Sequence, residues 1–178
     1  MAALEIVPYD SSWIDAFDTE RRRISAGLAE IALRIDHNGS TSVPGLAAKP
    51  IIDIQISVAR LHPIGAYAPA LQWLGYVHAP HADDEFCPFF HRPQRWPHSH
   101  HVHVVRSGGE EERRTLAFRD YLRDYVEVAR EYEQLKRRLA GDHGGESALT
   151  REAYADAKAE FIEQVVALAL KNGYPHGL

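Results

Sequence analysis

The sequence predicts an α+β fold: a mixed, twisted β-sheet with packed helices and a helical C-terminal part. Two observations carry this. Runs with the two-residue period of strands, "IIDIQISV" and "HVHVV", lie before residue 108 alongside an amphipathic helix, and from Glu110 onward the apolar pattern is helical. At 178 residues the chain suits one domain, sheet-containing over about 1–108 and helical over about 109–178.

Taking the elements in order, Trp13, Phe17, Ile24, Leu28 and Ile31 recur at helical spacing, and Ser12 followed by Asp15 resembles a capping box. "ALRIDH" alternates as a strand and stops at Asn38-Gly39. Pro50 disfavours helix at Lys49, so the chain enters "IIDIQISV" extended, with Ile52, Ile54 and Ile56 on one face and Ile51, Asp53 and Gln55 on the other. "HPIGAYAPALQWLGY" reads as a second helix stopped at Gly75, followed by a short strand around Tyr76 to His78. A short strand is expected near Phe86 to His91, then an exposed loop, then the strand "HVHVV" with His101 and His103 on one face. Phe118, Tyr121, Leu122, Tyr125, Ala129, Tyr132, Leu135 and Leu139 form a helical stripe with a break midway, read as core packing. "GDHGGES" is a loop, and a final helix from Leu149 to Lys171 carries Tyr154, Ala157, Phe161, Val165 and Leu168 on one face.

Composition narrows the function classes. With 20 basic and 25 acidic residues the chain has no overall basic footprint, so no nucleic-acid partner is expected, although a local basic cleft is compatible with that balance. The single Cys87 rules out an internal disulfide and suits a reducing compartment. No apolar run approaches a membrane span and no leader opens the chain, so a cytoplasmic protein is expected.

Three groups of residues carry chemistry. In "GSTS", Gly39 permits unusual backbone geometry, and Ser40, Thr41 and Ser42 offer hydroxyls and N–H groups, with Val43-Pro44 starting a short helix capped by Ser42. Such a turn is either a phosphate cradle or an ordinary capped turn. Asp53 is a carboxylate in a run of Ile and Val, costly to bury alone, and so faces a cation, a cleft or a basic partner. If the two strands are neighbours, Asp53, His101 and His103 make a two-histidine, one-carboxylate set suited to Zn²⁺, Mn²⁺ or a similar metal. Lys49, Arg106, Arg119, Arg123 and Lys158 are candidates to neutralise phosphate, whereas Lys136 reads as a solvated surface residue and His81, His91 and His98 as solvated side chains. Trp96 stands in a Pro- and His-rich loop, where a lid can carry an aromatic for base stacking.

The segments "HNGSTSVPGLAAKPIIDIQI", "HHVHVV", "FRDYLR", "YEQLKRRLA" and "YADAKAEFI", in that order, resemble the GrpB family over about Val7 to Ile162. That family is assigned by similarity to the nucleotidyltransferase fold, whose signature is a small-residue turn, a strand with two carboxylates one residue apart, and a third carboxylate on a later strand. It also occurs fused to dephospho-coenzyme A kinase. Gly39 and Ser40 match the turn and Asp53 the first carboxylate; Gln55 stands at the second, and the later strand offers His101 and His103. The resemblance implies a metal-dependent transfer of a nucleotidyl group from a nucleoside triphosphate to a small acceptor. Asp53 and Gln55 would be catalytic, and Gly39, Ser40, Thr41, Ser42, Lys49, Arg119 and Lys158 would bind nucleotide or phosphate. Asp53, His101 and His103 would hold a divalent metal such as Mg²⁺, Mn²⁺ or Zn²⁺. The alternative is a module that binds a nucleotide or a coenzyme A-like ligand without chemistry. A third is a histidine-supported metal site serving hydrolysis.

Overall fold

In the computed structural model, which describes residues 5–142 and 153–178, the first helix α1 (Ser12–Leu28) buries Trp13, Phe17, Ile24 and Leu28. Its N-terminus is closed by Asp10, whose carboxylate accepts the Ser12 N–H at 2.8 Å, not by a Ser12–Asp15 box. The helix ends at Leu28, and Ile31 sits in a following 3₁₀ turn, 41% exposed, so it is not part of the core stripe.

Five strands follow: β1 (Ala32–Asn38), β2 (Ile52–Val58), β3 (Val77–His78), β4 (Phe89–Arg92) and β5 (His100–Arg106). They form one sheet in the order β1-β2-β5-β4-β3, in which only β2 and β5 run parallel. A parallel pair needs a crossover. The chain between β2 and β5 supplies it through α2 (Ala68–Trp73), β3 and β4. The second helix is shorter than its apolar pattern suggests: a 3₁₀ turn at Ile64–Ala66 precedes its six residues, and Trp73 is almost wholly exposed. The fourth strand begins at Phe89, because residues Ala82–Glu85 form a 3₁₀ turn, which leaves Phe86 exposed.

The break expected midway through the C-terminal stripe falls at Tyr125, dividing α3 (Glu110–Asp124) from α4 (Val126–Asp142). Gly141 and Asp142 belong to α4 instead of the expected loop, whose remaining residues lie outside the described ones. The last helix is interrupted. A helical turn at residues 153–156 is followed by α5 (Ala159–Lys171), and the expected start at Leu149 lies outside the described residues. Its inner face is Val165, Val166 and Ala169, so Leu168 points outward.

Two cores result. Ile52, Ile54, Ile56, Val102, Val104 and Phe90 from one face of the sheet pack with α1 and α2, while Ala117, Leu122, Ala129, Tyr132 and Val165 hold the helical part together. A mixed sheet with helices on both sides is the α+β arrangement expected. Burying the strand isoleucines favours this layering by about 2 kcal/mol for each side chain. Among the described residues no helix is long and apolar enough to cross a membrane.

An ion cluster under the first core fixes the base of the loop at residues 93–99. Glu20, 2% exposed, receives Arg23 at 2.7 Å, Arg92 at 3.0 Å and the Tyr76 hydroxyl at 2.9 Å. Burial would raise the Glu20 carboxyl, but Arg23, Arg92 and Tyr76 together hold it below its ordinary value. Removing either arginine leaves a buried charge short of a partner.

Candidate functional site

Alternation along β2 and its parallel register with β5 set Asp53 opposite His101 and Gln55 opposite His103. All four stand on the face away from Ile52, Ile54 and Ile56, turned toward the helical part. His101 Nδ1 lies 3.3 Å from Asp53 Oδ1. Burial would raise the Asp53 carboxyl. The hydrogen bond from His101 and the charges of His101, His103 and Lys158 outweigh it and hold the group below its usual range. Burial pushes His103 down to about 4, so its ring is neutral at pH 7. Burial also raises the neighbouring Cys87 thiol to about 12, which leaves it protonated and unreactive.

The turn after β1 closes on the same carboxylate. Gly39 has φ +64°, and a Cβ added there would overlap Asp53 Oδ2, so only glycine lets the turn approach this closely. No helix begins at Val43-Pro44. Instead Ser40–Ser42 forms a 3₁₀ turn, with the Ser42 hydroxyl donating to Gly39 O at 2.6 Å. Arg123 donates through Nε and Nη2 to Ser42 O at 3.0 and 2.9 Å, pinning the turn from α3. The Thr41 hydroxyl is buried, paired with His37 Nε2 at 3.0 Å and donating to Ile51 O at 3.3 Å, so the turn offers a ligand the polar atoms of Ser40, without the dipole of a helix behind them.

In front of Asp53 lies a cavity of about 450 Å³, within the range of small-molecule sites. Its floor is Ser40, Thr41, Asp53, His101 and His103; Lys49, Lys136, Tyr154 and Lys158 form one wall, and Trp96 and His98 the other. Lys49 and Lys158 both lie against the Tyr154 ring, 4.0 and 4.4 Å from its centroid. Three of the chain's four lysines thus line one cavity, whose one acidic residue among the described residues is Asp53. Burial strips water from the ammonium groups and pushes Lys158 down to about 8 and Lys136 to about 7, the charge of Lys158 adding to the effect on Lys136. A second cavity of about 390 Å³ lies on the other side and shares Ser40, Asp53, His103 and Lys158 with the first.

The predicted residues divide accordingly. Ser40, Thr41, Lys49, Asp53, His101, His103 and Lys158 meet at the first cavity, and Gly39 and Gln55 border the second. Ser42 is buried in the turn. Arg119 does not line either cavity: it is 8% exposed, held by Asp120 at 2.7 Å, Asp36 at 3.3 Å and His37 O at 3.2 Å. Its role here is to brace β1 against α3. Arg106 borders a separate surface depression. Gln55 is fully buried, its Oε1 accepting from Asn38 Nδ2 at 3.2 Å and from the Thr115 hydroxyl. The single Thr115 proton is shared with Glu111 O at 2.9 Å and Glu112 O at 3.1 Å, and Gln55 Nε2 is buried without a hydrogen-bond partner. Among the described residues no three His, Cys, Asp or Glu side chains meet in an arrangement that would hold a metal ion.

Two residues read as surface groups belong to the site. Lys136 is 2% exposed, with Nζ donating to Ala47 O. The available signal was its position four residues after Tyr132, which puts a lysine inside the apolar stripe of α4. His98 stacks on His91 at 3.9 Å and shares a hydrogen bond of 3.0 Å with His101 Nε2. It lies in an irregular loop, where no periodicity marks direction. Tyr132, taken for core alone, is buried but also borders the second cavity.

A lysine- and histidine-lined cleft at the polar face of a mixed sheet, roofed by helices, defines the class of protein. Residues 3–167 match the family model described as GrpB protein, and the chain belongs to that family. A UPF0157 protein of Halalkalibacterium halodurans is 37% identical over 93% of this chain and 82% of its own length. The crystal structure of the conserved protein GrpB from Enterococcus faecalis superposes with TM-score 0.82 at 31% identity, covering 94% of this chain and 98% of that one. A shorter match, 37% identical over 45% of this chain and 20% of the other, is to a dephospho-CoA kinase of Mycobacterium tuberculosis.

Proposed function

We propose that the cavity in front of Asp53 binds a phosphate-bearing small molecule of the nucleotide or coenzyme A class. The observation that carries this is the convergence of Lys49, Lys136 and Lys158 on one cavity, where Asp53 is the one carboxylate among the described residues. Lys136 and Lys158, both stripped of water, disfavour one another's charge, and an anion between them relieves this. Lys49 and Lys158 neutralise phosphate, the Ser40 hydroxyl donates to its oxygens, and Trp96 with His98 offers an aromatic wall for a base. The match to a stretch of a dephospho-CoA kinase adds coenzyme A-like ligands to those worth testing.

Nucleotidyl transfer is the second reading, favoured by one feature. The turn carrying Ser40 is seated on the Asp53 carboxylate so closely that a Cβ at Gly39 would overlap it. A divalent ion on Asp53 would then hold the donor's phosphates beside the turn. This reading draws no support from Gln55, which is uncharged and fully buried.

A thermal-shift screen with the four nucleoside triphosphates and coenzyme A, each with and without Mg²⁺ or Mn²⁺, separates the readings. A stabilisation that survives chelator, persists in Asp53→Ala and disappears in Lys158→Met supports the binding module. Stabilisation that requires metal and vanishes in Asp53→Ala supports the transferase. No shift with any of the five ligands would remove both.

A further inference from the structure

Lysine is scarce in this chain. Of its 20 basic residues 16 are arginines, and three of the four lysines line one cavity. Elsewhere arginine makes the ion pairs: Arg92 with Glu20, Arg119 with Asp36, Arg114 with Glu163 and Arg137 with Glu133. Guanidinium grips phosphate at two points and keeps its proton throughout the accessible pH range. Lysine also binds phosphate, as a point charge, so an anion site alone accounts for Lys49 and Lys158. What lysine offers and arginine does not is a neutral amine with a nucleophilic lone pair.

Lys136 is the lysine set up for that role. It is 2% exposed and borders the cavity from the inner stripe of α4, its Nζ donating to Ala47 O and lying 4.9 Å from the Tyr132 ring centroid. That hydrogen-bond partner is a neutral carbonyl. The nearest carboxylate along its own helix, Glu133, is engaged by Arg137 at 2.9 Å and by Ala47 N at 3.2 Å. The charged groups that act on Lys136 are Glu133 and Arg137 on α4, Lys158 ahead of α5, and Asp53 on β2. Burial, Lys158 and Arg137 favour the free amine, and together they outweigh Glu133 and Asp53. Lysines made nucleophilic in this way, by desolvation and an adjacent cation, form imines with carbonyl compounds.

The geometry points to Lys136 as an imine-forming lysine whose ligand is a phosphorylated aldehyde or ketone, with the phosphate on Lys49 and Lys158 and the carbonyl carbon presented to Lys136 Nζ. This rests on the reading of the cavity as an anion site. The amine lone pair forms the C–N bond while the C=O π pair moves to oxygen. One proton passes from nitrogen to that oxygen, giving a carbinolamine. A second proton, from the Lys158 ammonium or solvent, lets the oxygen leave as water and the nitrogen lone pair close the protonated imine. Carbonyl, amine and one proton yield iminium and water, with no change of oxidation state.

The test uses the full chain with pyridoxal 5′-phosphate near neutral pH, trapped by sodium borohydride, with the modified lysine located by peptide mass spectrometry. Pyridoxal, which lacks the phosphate, is run in parallel. Expected is a dominant reduced adduct on Lys136, formed at least about tenfold faster with the phosphate ester and absent from Lys136→Met. Because the mapping is done on the wild-type chain, it does not depend on the variant folding. Adducts on Lys171, Lys49 or Lys158 with Lys136 unmodified, or no trapped adduct, would overturn the amine role; nucleotide binding, measured separately, would then stand untouched. Equal trapping of Lys136 by both aldehydes would overturn the phosphorylated ligand class, and with it the anion reading of the cavity.

Discussion

Binding of a nucleoside triphosphate should draw protons from solvent, and the number follows from the two buried lysines. In the empty cavity burial holds Lys136 at about 7 and Lys158 at about 8. At about pH 7.5 those values leave Lys136 roughly one-quarter and Lys158 roughly three-quarters protonated. A polyphosphate beside them favours the ammonium forms and raises both values, so each lysine fills its missing fraction and binding takes up roughly one proton in total. At about pH 6 both lysines are already charged and their share of the uptake falls to roughly a tenth of a proton. The sign is fixed: the bound state holds more protons, so affinity weakens as pH rises through 7 to 8. Isothermal titration in buffers of different ionisation enthalpy reads the proton number as a slope. Tight binding with a slope near zero at pH 7.5 would refute the assignment of these lysines as the anion's partners.

Other perturbations test the frame of the site. Gly39→Ala should cost about 1–3 kcal/mol from the positive φ and the overlap with Asp53, and should abolish nucleotide binding; urea unfolding at wild-type midpoint with binding intact would contradict the close approach. Gln55→Glu restores a carboxylate at a fully buried position, where its folded pKa must lie above the unfolded value near 4.3. Its destabilisation should therefore grow as pH rises from about 5 to 8, and a Tm difference from wild type that is flat with pH would show the charge to be accommodated. His37, His100 and His103 are each pushed by burial to about 4, so the unfolded chain binds protons first as pH falls below about 6.5. At about pH 5.5 each should remove roughly 1 kcal/mol of stability, and urea unfolding curves that coincide at pH 7.5 and 5.5 would reject this.

What was legible in the sequence was periodicity and what depends on it. The alternation in "IIDIQISV" and "HVHVV" gave both strands and the common face of Asp53, Gln55, His101 and His103, and the parallel β2–β5 register completes it. Turn chemistry was legible in part. Gly39 was recognisable as a special position, but the residue it approaches, Asp53, is fourteen positions away and known only after folding. Charge was the least legible. Arg119 and Lys136 are both basic residues on helices, yet one ends among Asp36 and Asp120 and the other at the cavity wall. Their fates depend on what the opposite layer presents: acidic residues of β1 and α3 in one case, the carbonyl of Ala47 in the other. The irregular loop carrying His98 has no period, so its direction was unreadable until the stack on His91 was seen.

The origins of the three cavity lysines have a mechanical consequence. Lys49 belongs to the segment leading into β2, Lys136 to α4, and Lys158 to the junction ahead of α5. An anion held by all three acts as a rivet between the sheet and the helical part. Ligand that binds only the assembled form stabilises it by RT ln(1 + [L]/Kd), and that increment falls on the seam between the two cores and not within either one. Amide exchange should then slow together in α4 and β2 when the cavity is filled, so that two layers able to loosen separately open as a single unit.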